Sequence, residues 1–284
     1  MSTACYCGFV NTWECDENAH MNVQFYQSRF EVAARHLWAE HGGTWTPDSL
    51  RHRTIRYHRE CHAGQTLVGS GHRADLDPHL VALVLRDGED GGLIATARDT
   101  YGVPVHKDLP AGPIDPDAEP FGQDGTFETE LRARSGLTLA GYASIYRGIV
   151  QSGDLNAEGT MDDQRFITRV TDGVAHAWSR IGITPDFLSE TGCGRVAVEM
   201  GLSITSRPTL GTLVHLMSGL VALGRTTVTF RHVFMDAATG KSFAVLRVTA
   251  LIMNLSARKA IPFPDEKREQ AFAQLVDQAA TAPR

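Results

Sequence analysis

The chain has 284 residues, 42% of them hydrophobic and 21% charged, with a formal net charge of −6. That length suggests two domains, each able to bury its own core, and the mild acidic balance lacks the basic footprint of a nucleic-acid binder. No stretch approaches the roughly 18–20 apolar residues of a membrane span, and the start Met1–Cys7 has neither the basic end nor the apolar run of a secretion signal.

The five cysteines, Cys5, Cys7, Cys15, Cys61 and Cys193, are odd in number and fit no zinc spacing. They read as free thiols in a reducing cytoplasm. The histidines His52, His58, His62, His72 and His79 carry no paired ligand motif, so no metal and no cofactor is expected. The Arg and His cluster from Arg51 to His62 reads as a solvated strand face.

In chain order, Gly8–Trp13 reads as a strand. Tyr26, Phe30, Ala34 and Leu37 then recur at helical spacing, with Gly42 as a stop and Asp16 or Asn18 as an N-cap. Strand-like runs follow at Thr54–Glu60, Thr66–Ala74, Leu80–Arg86 and Leu93–Tyr101, the last two joined by the turn Asp87–Gly91. Pro104–Gly125, with five prolines and three glycines, reads as a linker.

The same order then returns. Ser144–Gln151 reads as a strand, and Phe166, Val170, Val174, Ala177 and Ile181 as a helical stripe, capped by Asp154 or Asn156 and stopped at Gly182. Strands are expected at Arg195–Thr205, Gly211–Leu220, Thr226–Met235 and Ser242–Met253, with Asp236–Gly240 as the matching turn, and a polar tail follows from Asp265. The domains expected are 1–103 and 142–264, with a linker at 104–141 and a tail at 265–284 that could hold a short surface helix.

The two halves read as copies of one unit. Met21, Gln24, Arg29, His36, Trp38 and Gly42 match Met161, Gln164, Arg169, His176, Trp178 and Gly182, 140 residues apart. Asp87, Gly91, Ala95, Arg98 and Thr100 match Asp236, Gly240, Ala244, Arg247 and Thr249, 149 apart. Asp16, Asn18 and Ala19 match Asp154, Asn156 and Ala157 at 138, which places two extra residues before Met161 and sets Glu158 where the first copy has His20. Strands in succession favour an antiparallel sheet, and so an α+β class.

A long helix wrapped by an antiparallel sheet in this order resembles the hotdog fold. Asp16-Glu17-Asn18-Ala19-His20-Met21-Asn22, followed by Tyr26, resembles the signature of the 4-hydroxybenzoyl-CoA thioesterase-like branch, and Asn254–Pro262 resembles the end of its last strand. The resemblance implies two tandem hotdog domains and an acyl-CoA thioesterase that takes a small-molecule acyl-CoA thioester, with coenzyme A part of the substrate. It allows a homodimer of double-hotdog chains, while the charge and the lack of an apolar span lead to the expectation of no nucleic acid and no membrane as partners.

It also implies roles. Asp16 would be base or nucleophile, and His20 would orient water, polarise the carbonyl or protonate the leaving thiolate. Asn18, Asn22 and Tyr26 would shape the site, and Arg258 and Lys259 would meet coenzyme A phosphates. The helix N-terminus supplies donors and a positive dipole end for the oxyanion.

In the second copy, Asp154, Asn156 and Glu158 form either a degenerate site or a changed one, and the first half is favoured as active because its motif is complete. Structural readings stand beside these: Asp16 and Asp154 as caps, Tyr26 as core, Arg258 and Lys259 as a solvated strand end. A hotdog enoyl-CoA hydratase or dehydratase and a non-enzymatic acyl-CoA-binding module are the competing functions.

Overall fold

The computed structural model describes residues 3–16, 19–121 and 139–276. They fall into two compact units, one within Met1–Glu128 with Gly201–Ile204, the other within Thr129–Met200 and Thr205–Arg284.

In the first unit, β1 (Thr3–Phe9) leads through a 3-10 turn (Thr12–Glu14) to α1 (Val23–Glu40), followed by β2 (Leu50–Tyr57), β3 (Thr66–Ala74), β4 (Leu80–Asp87) and β5 (Leu93–Tyr101). The antiparallel order is β1-β3-β4-β5-β2. Phe30, Ala34 and Leu37 of the helix stripe bury fully, against Leu67, Val81, Leu83 and Ile94 of the sheet.

The strand expected at Gly8–Trp13 ends at Phe9, because the Glu14 carboxylate takes the Asn11 amide at 2.7 Å and winds the chain into the 3-10 turn. β2 starts at Leu50, four residues earlier than expected. Its polar run conceals an inward-facing Arg53 that lies fully buried and bidentate on Asp99, at 2.6 and 2.5 Å. Tyr101 donates to the same carboxylate at 3.1 Å. The Arg51–His62 cluster is therefore not uniformly a solvated face.

The segment after β5 adds β6 (Ala111–Gly112), which pairs parallel to β3 at Arg73↔Ala111. Val105, Leu109 and Ala118, spaced among the prolines and glycines, bury with it. Further along, the Arg56 guanidinium donates to the carbonyls of Asp117 and Glu119 at 2.9 and 2.7 Å and lies 4.0 Å from the Phe121 ring centroid.

The second half of the chain repeats the plan. It has β7 (Ala143–Ile149), α2 (Asp163–Arg180), a short α3 (Pro185–Thr191), β8 (Cys193–Ile204), β9 (Leu213–Leu223), β10 (Thr227–Asp236), β11 (Ser242–Asn254), β12 (Lys259–Ile261) and α4 (Asp265–Phe272). Its order is β7-β9-β10-β11-β8, with β12 paired to β11. β1 and β7 share one burial pattern and one bulge, between Ala4 and Tyr6 and between Ser144 and Tyr146. The hairpin turns agree too, since Gly91 and Gly240 each donate to the carbonyl of the turn aspartate, Asp87 or Asp236.

α3 was not anticipated, although its sequence carries the signals: Thr184 accepts the Phe187 amide, Pro185 opens the helix, and Gly192 closes it in the left-handed region at φ +62°. The tail beyond Asp265 also buries Ala271 and Val276. Leu275 bridges parallel to Leu220, the residue on β9 that corresponds to Arg73 on β3. Each unit thus ends in an extension that returns to the same place on its sheet.

The two cores differ in charge. The places of Arg53, Asp99 and Tyr101 are held in the second copy by Met200, Val248 and Ala250, all buried. Conversely Leu83 and Gly71, on neighbouring strands, give way to His232 and Ser218, whose ring nitrogens and hydroxyl have no hydrogen-bonding partner among the described residues. Burial pushes the His232 imidazole down to about 3.

Two predictions follow from these cores. Asp99→Ala leaves the Arg53 charge buried without its carboxylate and should cost about 3–5 kcal/mol in urea unfolding. Arg53→Met with Asp99→Val, which imports the second copy's pair, should recover at least half of that loss; a double variant no more stable than the single one would contradict the account. For His232, the folded value lies below the ordinary 6.5, so the unfolded chain takes up a proton that the folded one refuses. The associated stability is present above pH 6.5 and lost as pH falls towards 3. His232→Leu should flatten that part of the stability profile.

Candidate active site

The loop between β1 and α1 is held from two sides. Below, Arg29 from the second turn of α1 reaches back to the Glu14 carboxylate at 2.6 Å and to the Phe9 carbonyl at 3.0 Å. Beside it, the Met21 amide donates to the Cys61 carbonyl at 2.8 Å, and His20 bridges His62. Asn22 caps α1 by accepting the Gln24 amide at 3.2 Å. The caps expected at Asp16 or Asn18 are thus displaced by a residue read as site-shaping, because the loop makes one more turn before the helix begins.

Asp16 opens that turn. Its backbone amide donates to the His20 carbonyl at 2.8 Å, and its carboxylate accepts the His20 amide at 3.1 Å. Ala19 closes it at φ +59°, a conformation that costs a non-glycine residue about 1–3 kcal/mol. The turn presents the His20 ring to Glu60, with Nδ1 3.4 Å from the carboxylate, and edge-on to His62 with centroids 4.8 Å apart. Asp16 and His20 are half-buried, and His62 is exposed. Tyr26 is buried, and its hydroxyl interacts with Cys61. The structure therefore brings Asp16, His20, Asn22 and Tyr26 to one loop and helix start; Asn18 lies outside the described residues. Glu60 was missed in the sequence because it reads as the end of a charged strand, 40 residues from its partner.

The second copy has the same loop with different side chains, and the geometry corrects the alignment. Asp154 closes a 3-10 turn, takes the Gln151 amide at 2.9 Å and pairs with Arg169 at 2.6 Å. These are the contacts of Glu14, not of Asp16. Asn156 holds the place of Asp16, its side-chain oxygen accepting the Thr160 amide at 3.0 Å as Asp16 accepts that of His20. Gly159, at φ +78°, stands for Ala19 and Thr160 for His20. The shift is therefore a constant 140 with no inserted residues. The exposed Glu158 is not at the histidine position, since its amide merely donates to the Asn156 side chain at 3.1 Å.

Asp162 caps α2, accepting the Gln164 amide at 2.9 Å, and burial pushes its carboxyl up. Arg207 stands where the first unit has Glu60 and forms a buried ion pair with Asp163. Arg258 and Lys259 lie at the turn into β12. That is the end of β11 nearer Gly192, whereas Phe243 near the other end accepts the amides of Thr205 and Ser206, beside Arg207. The structure does not bring them to the Asn156–Asp162 loop.

The five cysteines form no disulfide, and among the described residues no helix is long and apolar enough to cross a membrane. Asp154→Ala should unfold the second loop and cost about 2–3 kcal/mol, between a charge-assisted hydrogen bond and a fully buried pair. Thermal unfolding checks this, and an unchanged midpoint would refute the strut.

Residues 150–271 match the family model of the Thioesterase-like superfamily. No curated protein sequence matches the chain. Among solved structures, an acyl-ACP thioesterase from Bacteroides thetaiotaomicron superposes with TM-score 0.65 at 12% identity, covering 88% of this chain and 97% of that one. A putative oleoyl thioesterase from Lactobacillus plantarum gives 0.61 at 10%, covering 92% and 98%. A 12:0-ACP thioesterase from Umbellularia californica gives 0.57 at 11%, covering 88% and 93%. At these identities the likeness is one of fold, and it runs through both halves. Residues 150–271 thus match the thioesterase-like superfamily, and the whole chain shares its fold with these tandem thioesterase structures.

Proposed function

We propose that this chain is a tandem, double-hotdog thioesterase that hydrolyses an acyl-CoA thioester to a carboxylic acid and free coenzyme A in the cytoplasm, at the loop of its first half. One contrast carries the reading. Around the same loop the first copy gathers Asp16, His20, Glu60 and His62, and the second has Asn156, Thr160, Arg207 and Thr209 in their places. General acid–base chemistry needs groups that exchange protons, and at these four places the first copy has carboxylates and imidazoles where the second has an amide, two hydroxyls and a guanidinium.

In this reading Asp16 takes a proton from water as the water oxygen bonds to the thioester carbon. The start of α1 faces the oxyanion with its dipole. When the C–S bond breaks, His20, oriented through Nδ1 by Glu60, gives a proton to the leaving thiolate. Asp154 serves as a strut in the second loop, as Glu14 does in the first.

The second copy supplies the control that separates chemistry from folding. Asn156 makes the turn hydrogen bond that Asp16 makes, so Asp16→Asn keeps the loop and removes the base. Free-thiol release from a panel of acyl-CoA esters should fall by about 10²–10⁴ in kcat with an unchanged melting temperature. Activity within a few-fold of wild type would reduce Asp16 to a turn residue and shift the base to His20. No turnover of any ester by folded wild type, on coenzyme A or on acyl-carrier protein, would defeat the hydrolytic reading.

A further inference from the structure

One buried group beneath the first loop has no part in that chemistry. Tyr57, the last residue of β2, packs edge-on against Tyr26 with centroids 5.0 Å apart and planes at 84°. Its hydroxyl is sealed from solvent and meets no hydrogen-bonding partner among the described residues. The Tyr26 hydroxyl, one ring away, is satisfied by Cys61, whose carbonyl holds Met21, the residue after His20. The ring that bears the unpaired donor is therefore connected, through Tyr26 and Cys61, to the loop that carries Asp16 and His20.

An unpaired buried hydroxyl costs about 1–3 kcal/mol, and the second copy avoids the cost. There Phe166 replaces Tyr26, Ile204 replaces Tyr57 and Pro208 replaces Cys61, and the Phe166 ring packs on Phe234 at 5.2 Å. The two hydroxyls thus occur only where the loop also carries the carboxylate and the imidazole. Burial raises both tyrosines above their ordinary range, so Tyr57 keeps its proton and can donate.

We propose that Tyr57 is a specificity-determining residue whose hydroxyl donates to an oxygen on the acyl group beyond the thioester carbonyl. The substrate class is then an oxygenated acyl thioester, a hydroxyacyl or ketoacyl ester. The inference rests on the hydrolytic reading above. Depth distinguishes the acyl oxygen from the reacting carbonyl: Asp16 and His20 are half-exposed at the loop, whereas the Tyr57 hydroxyl lies closed off beneath it. In this reading the group that meets it is the part of the substrate that continues inward from the reacting carbon.

The test compares thiol release from coenzyme A esters matched in length, with and without a hydroxyl or ketone on the acyl chain, for wild type and Tyr57→Phe. Wild type should prefer the oxygenated member by about tenfold or more in kcat/KM. Tyr57→Phe should erase that preference, leave the plain ester's rate within about twofold, and match or exceed wild type in melting temperature. Equal wild-type rates on the paired esters, or a variant that loses both rates alike, would overturn the specificity role while leaving hydrolysis intact. Absence of turnover on every ester would remove both readings together.

Discussion

The Glu14 carboxylate and the Arg29 guanidinium meet at 2.6 Å with little access to water, and on that contact depends where the loop between β1 and α1 can run. Arg29 also takes the carbonyls of Phe9 and Phe25, so one side chain joins the end of a strand, a 3-10 turn and the first turn of a helix. Removing either partner would strand a buried charge, which makes the arrangement all-or-none. Asp154 and Arg169 repeat it at 2.6 Å. The carboxylate is one methylene shorter there, and the geometry survives the change.

With the loop fixed by that pair, the side chains it displays are free to differ. Asp16 and Asn156 both satisfy the turn, because an amide oxygen accepts a backbone N–H as a carboxylate does. Only the aspartate can exchange a proton. Ala19 accepts the left-handed conformation at a cost, whereas Gly159 accepts it without one. Opposite the loop, Glu60 faces a histidine, while Arg207 is drawn into a closed pair with Asp163 at the start of α2. The second loop has the shape of the first, with Asn156, Thr160 and Thr209 in the places of Asp16, His20 and His62, and with Arg207 in the place of Glu60 paired to Asp163.

The cores have diverged in the opposite sense. The first unit keeps Arg53 and Asp99 dry between helix and sheet, joined by Tyr101 and, through it, Trp45. The second has apolar residues at those places and carries its unpaired polar groups, His232 and Ser218, elsewhere on the sheet. The two halves share strand order, bulge, hairpin turns and the returning extension, all features of the backbone, while their buried side chains differ.

The sequence by itself determined the class of fold. Phe30, Ala34 and Leu37, and Phe166, Val170 and Ala177, mark a helix face because 3.6-residue spacing puts them on one side, and the Asp–Gly turns set the hairpins because few residues tolerate such backbones. It also brought Asp16, His20 and Asn22 together, since they are neighbours along the chain. Only the tertiary structure could decide which partners meet across long separations. Glu60 reaches His20, Arg29 reaches Glu14, and the stretch that composition marks as a linker folds back as β6, because those contacts depend on strand register and burial. The correspondence of Asp154 with Glu14 was hidden for the same reason: identity of residue type pointed to Asp16, and the equivalence lies in the ion pair each carboxylate makes.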